Sequence, residues 1–117
     1  MIKRSDRTLD LYKTIGAEAR LVKHFLTEFV VDASKIQYAK SSNHLSATVN
    51  VIERLISDME DQMFCDYPEL GHDFVNVFYG GIFEEPINDV DSEITQKISD
   101  NLLKTLAKMQ EVEADSN

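Results

Sequence analysis

Three groupings of side chains in this 117-residue chain have types and spacings that could do chemistry. Glu69 and His72 stand at the Glu-x-x-His spacing that presents two metal ligands from one face of a helix. Asp58 and Asp61 have an i, i+3 spacing on which a helix can hold magnesium, with Glu53 one and two turns earlier. Cys65 is the one thiol, upstream of His72, with His24 and His44 as the other imidazoles.

Each grouping is incomplete. A di-iron bundle needs a second Glu-x-x-His and two further inward carboxylates, and the sequence supplies neither in proper form. Cys65 and His72 are two ligands where a closed zinc site takes four. Three imidazoles can hold a catalytic zinc, but the helical pattern points His24 away from its apolar seam and puts His44 at a turn. No Glu-x-x-Glu run faces Asp58 and Asp61, and magnesium also draws on an anionic substrate to complete its shell. Cys65 has no histidine with a third, orienting group. Gly80-Gly81 follows an aromatic run and opens no helix, so it is not a phosphate loop. The expectation is a protein with no catalytic, cofactor-binding or metal-ligating residues and no bound cofactor. The alternative is a helix-bundle enzyme or metalloprotein using Asp58/Asp61 or Glu69/His72.

The elements that would position these groups follow from apolar spacing. Tyr12, Ile15, Ala19, Val22, Leu26, Phe29, Ala33 and Ile36 recur in alternating steps of three and four, a heptad stripe. Leu21, Phe25, Val30 and Val31 widen it, so this helix should touch more than one neighbour. Ser5 and Asp6 are candidate caps before it, and Gly16 inside it marks either a close approach or a local weakness. Arg20 reads as lying on an exposed face. Ser41, Ser42 and Asn43 then interrupt the pattern with turn-forming residues. A second stripe runs Leu45, Val49, Ile52, Ile56, Met59 and Met63. Folding back at the polar break pairs Ile36 with Val49, Phe29 with Ile56 and Val22 with Met63, and brings Lys23 near Glu60.

Asp66 and Pro68 suit the start of a short third helix that Gly80-Gly81 ends, although Phe74–Tyr79 is also rich in strand-forming types. Asn88–Asp91 cap a last helix whose stripe is Ile94, Ile98, Leu102, Leu106 and Met109. The fold expected is therefore all-α, a three- or four-helix bundle built on a long antiparallel helical hairpin. Its helices span 8–40 and 44–64, with a short third helix at 67–79 and a C-terminal helix at 89–111. The chain reads as one domain over 1–117, frayed at 1–6 and 112–117.

Composition narrows the functional classes. One Cys gives no internal disulfide, the charged start Met1–Arg7 has no apolar signal core, and no apolar run is long enough for a membrane helix. A cytoplasmic protein that avoids membranes is expected. Net charge is −9 and uneven: residues 1–40 carry +3 and residues 41–117 carry −12. Such an excess repels nucleic acid and favours basic partners, leaving an accessory role on nucleic acid, through Lys3, Arg4 and Arg7, as a second alternative. Aromatic residues in the third element are bordered by acids, and Asp66, Tyr67, Glu69, Asp73, Phe78, Tyr79, Phe83, Glu84 and Glu85 are the candidate protein-binding residues. The same aromatics could equally cap the core. The preferred function is a non-enzymatic regulator, inhibitor, immunity or accessory factor that binds another protein, with a homodimer as a further use of the broad apolar helix.

Overall fold

Apolar stripes at helical spacing become three long helices in the computed structural model, which describes the backbone of residues 1–36 and 39–115 and the side chains of 1–36 and 43–112. They are α1 (Leu9–Ala33), α2 (Ala39–Asp66) and α3 (Asp89–Asp115), with 3-10 turns at Arg4–Asp6 and His72–Phe74. Among the described residues there is no strand, and no helix is long and apolar enough to cross a membrane. The chain is an all-α helical bundle in which α1 is central, packing against both α2 and α3.

Local chemistry sets the boundaries. Thr8 caps α1, its hydroxyl accepting from the Leu11 amide at 3.1 Å, and a 3-10 turn at Arg4–Asp6 precedes it. Asn88 caps α3 by accepting from the Asp91 amide at 2.8 Å. The last helix runs to Asp115, and residues 116–117 of the expected 112–117 tail lie outside the described residues.

Two expectations about the connections need correction. The polar break at 41–43 does not end a helix. α1 stops at Ala33, a turn follows through Ile36, and residues 41–43 lie inside α2. Serine and asparagine cost only about 0.5 kcal/mol each in a helix, too little to stop one that packing supports. With the turn earlier, the register slips. The Tyr12 hydroxyl meets Asp66 at the end of α2, beyond the expected pairs, the last of which set Val22 against Met63. Phe29 is accordingly 62% exposed while its expected partner Ile56 is 2% exposed.

The third helix expected over 67–79 is a chain of turns around a single 3-10 turn. Its backbone bonds are mostly i→i+3, Leu70 to Tyr67, Phe74 to Gly71, Val75 to His72 and Tyr79 to Asn76, and the Arg20 side chain donates to the carbonyls of Asn76, Val77 and Gly81 at its end. Asp66, expected to cap that helix, is instead the last residue of α2.

The core sits where the first half of α1, the second half of α2, the 67–82 segment and the first half of α3 converge. Met63, Val77, Phe78, Ile94 and Ile98 are its fully buried members. Gly16 is the close approach: a Cβ there would lie 2.6 Å from the Val77 carbonyl oxygen. Beyond this hub the helices run on with their apolar sides bare. Val22, Phe25 and Phe29 of α1, Ile36 in the turn after it, Val51 and Leu55 of α2, and Leu106, Met109 and Val112 of α3 are all exposed. The radius of gyration is 16.9 Å, against about 13 Å for a compact domain of 100 residues.

Candidate functional site

The most constructed feature outside the core is the loop after Gly80-Gly81 and the side of α1 that faces it. Its foundation is Arg20, which is 3% exposed and lies in the hub, correcting its reading as an exposed base. The Arg20 guanidinium donates to Val77 O (3.2 Å), Gly81 O (3.0 Å) and Asn76 O (2.6 Å). It also pairs with Asp91, Nη2 to Oδ1 at 2.6 Å, a charge contact outside hydrogen-bond geometry. The other Asp91 oxygen accepts from the Ile87 amide at 3.1 Å. One buried ion pair thus fastens both ends of the 81–87 loop. Gly80 is required there, because a Cβ would sit on the guanidinium.

Held in this way, the loop projects its apolar residues. Phe83 is 75% exposed and Ile87 is also exposed. The Phe83 ring meets His24 edge-on, centroids 5.9 Å apart, and His24 meets Phe25 in the same manner at 5.3 Å. His24 Nε2 lies 3.1 Å from Glu28 Oε1. Lys23 Nζ stands over the Tyr79 ring, 5.3 Å from its centroid. Between α1 and the loop runs an open groove of about 390 Å³, floored by Phe78 and edged by Lys23, His24, Tyr79, Phe83 and Glu84. Burial, followed by repulsion from Glu60, raises the Tyr79 hydroxyl above its usual pKa. Burial and the neighbouring Asp61 raise the Glu60 carboxyl.

A second cluster closes the other end of the hub. Asp66 is buried and accepts from Arg7 (Nε 2.7 Å, Nη2 2.9 Å), the Tyr12 hydroxyl (2.5 Å) and Gln62 (3.0 Å). Arg4 reaches the Asp66 carbonyl, and the Tyr67 hydroxyl donates to Arg7 O at 2.9 Å. Arg7 above all, with Tyr12, holds the Asp66 carboxyl far below the usual carboxylate range. Burial, then Asp66, pushes the Tyr12 hydroxyl up to about 12. This network joins the start of the chain to the end of α2, so Arg4 and Arg7, two of the bases expected to touch phosphate, are engaged within the fold.

The expected binding residues therefore divide. Tyr79, Phe83, Glu84 and Glu85 come together on the exposed loop, and Glu69 and Asp73 are exposed on the preceding turns. Phe78 is in the core, Asp66 is buried, and Tyr67 is half-buried against Tyr12. Glu69 and His72 are both exposed but do not share a helix face, since Glu69 precedes the 3-10 turn that His72 opens. Asp58 and Asp61 are exposed on α2, and Cys65 is exposed in its last turn. Among the described residues, no group of three or more His, Cys, Asp and Glu side chains is placed to hold a metal ion. The site offers two exposed rings, a groove beside them and the Glu84 carboxylate at its rim.

Sequence reasoning missed His24 as a member of this site, and missed Arg20 and Asp91 as its supports. The available signal was Gly80, a residue without a side chain where an arginine had to pass. Comparison with known proteins adds no relative, since no protein-family model, curated protein or solved structure matches the chain.

Proposed function

We propose that this chain is a non-catalytic cytoplasmic binding protein that takes a basic, partly apolar segment of another protein on the 79–87 loop, as a regulator, inhibitor, immunity or accessory factor does. The observation that carries this is Phe83. A phenyl ring three-quarters exposed, seated edge-on against His24 and followed by Glu84 and Glu85, is an apolar contact rimmed by charge. Interface centres favour aromatic residues and their rims favour polar ones. The support beneath it is rigid, because the Arg20–Asp91 pair fixes both loop ends, and a rigid anchor loses little conformational entropy on binding. The acid excess of the second half of the chain steers a basic partner towards it.

The test is titration with a panel of lysine- and arginine-rich peptides carrying one aromatic or aliphatic residue, followed by fluorescence anisotropy. Binding by the native chain, weakened by salt and by Glu84→Lys/Glu85→Lys and lost in Phe83→Ala, supports the reading. Equal binding by all three proteins overturns it.

A second copy of the chain is the other partner we propose, on a different surface. Bare apolar stripes beyond the hub favour this second reading, since monomeric proteins rarely leave large contiguous apolar patches uncovered.

A further inference from the structure

We infer that His24 makes the 79–87 loop site sensitive to pH: the groove takes its basic segment while the His24 ring is neutral, and protonation of that ring weakens the complex. This rests on the binding reading above and names a control on the same site.

His24 stands where the two walls of the site meet. Its ring meets Phe83 of the loop edge-on, centroids 5.9 Å apart, and Phe25 of α1 at 5.3 Å. It is half-buried, so water reaches it. Its Nε2 lies 3.1 Å from Glu28 Oε1, one helical turn farther on. Histidine is the side chain that ordinarily changes charge between pH 5 and 8, so this ring brings a pH-dependent charge into the groove wall.

The fixed charges around the ring are few, and each has a place. From α1 come Arg20, Lys23 and Glu28, and from the loop comes Glu84, all lining the groove. A Cβ on Gly81 would lie 2.8 Å from Glu84 Oε2, so that carboxylate rests against the start of the loop. Arg20 is matched by Asp91 of α3 at 2.6 Å. The Tyr79 hydroxyl titrates above its usual range and stays neutral. Glu53, Glu60 and Asp61 of α2 act on Tyr79 but do not line the groove. What remains is Lys23 (+1) against Glu28 and Glu84 (−2), a net charge of −1 with the His24 ring neutral.

One proton on His24 takes that sum to zero. It does so beside Glu28, giving that carboxylate a cation of its own at 3.1 Å. A partner's lysine or arginine then competes with His24 for Glu28 and loses the net attraction of the groove. The change falls beside Phe83, the ring on which the binding reading turns.

Fluorescence anisotropy of the full chain tests this, at pH 7.5 and 5.5 and fixed ionic strength. The probe is a lysine- and arginine-rich peptide with one phenylalanine and no histidine or acidic residue, so its side-chain charge is the same at both values. The native chain should bind about two- to fivefold more weakly at pH 5.5, the size of one exposed ion pair, with an unchanged far-ultraviolet spectrum. His24→Gln should bind alike at both values, whereas His44→Gln/His72→Gln should keep the native response. Equal native binding at the two values, or a native-sized response in His24→Gln, overturns the control and leaves the binding reading standing. No native binding at either value overturns the binding reading and the control with it.

Discussion

Met63 and Met109 each sit on the apolar stripe of a long amphipathic helix, yet the first is fully buried and the second is 62% exposed. The difference lies in what covers them. At the hub, the 67–82 segment plugs the space between helices with Val77 and Phe78, and Arg20 holds that segment in place. The arms have no such plug. A stripe is a capacity for burial, and only a third element makes use of it.

The hub's dependence on its pin is the largest effect. Arg20→Ala leaves the buried Asp91 carboxylate without its cation and three carbonyls without a donor. Breaking a buried pair from one side costs about 3–5 kcal/mol, read as a large fall in melting temperature. The methionine pair sharpens the contrast directly. Met63→Ala should cost about 2–5 kcal/mol through the cavity it opens, and Met109→Ala no more than about 0.5 kcal/mol in dilute solution. Equal costs in chemical denaturation would erase the distinction between hub and arm.

Gly16→Ala tests the closest approach in the hub. The new methyl would lie 2.6 Å from Val77 O and 2.7 Å from Val77 Cγ1. Overpacking of about 1–3 kcal/mol outweighs a helix-propensity gain of about 1 kcal/mol, so net destabilisation is expected. The same change at an exposed helix position would stabilise.

The Asp66 network gives the hub a pH signature. The folded carboxyl titrates below its ordinary 3.8, so its contribution is complete above that value and is lost as pH falls through the folded value. Tyr12 behaves oppositely. Its contribution is complete below the ordinary 10.0 and is lost as pH rises through about 12. In Asp66→Asn, melting temperature should lose its steep acid limb, and an unchanged limb would assign acid sensitivity elsewhere. The smallest effect belongs to the rim. Lys13→Ala removes a partly exposed pair with Glu93 at 2.7 Å, worth about 1 kcal/mol or less.

Much of this architecture was legible in the residues. Three stripes gave three helices, and Asn88 announced the start of the last one. The tight turn was misplaced because Ser41–Asn43 carry turn chemistry, and the helix overrides it at small cost. The segment at 67–79 has helical apolar spacing, but spacing does not reveal that its backbone bonds close i→i+3 turns and that a distant arginine holds its end. For the same reason Arg20 read as a surface base. Within the candidate site, Tyr79, Phe83, Glu84 and Glu85 were visible as a cluster in sequence. Phe78 and Asp66 turn inward, Phe78 into the core from the chain of turns and Asp66 from the last turn of α2 onto Arg7 and Tyr12.

Amide hydrogen exchange on the full chain, followed as concentration is raised, tests the division of hub from arms most directly. Residues 12–21 and 90–98 should be protected at every concentration, with residues 22–36 and 103–112 gaining protection only as the chain associates. Uniform protection along α1 and α3 in dilute monomer would contradict it.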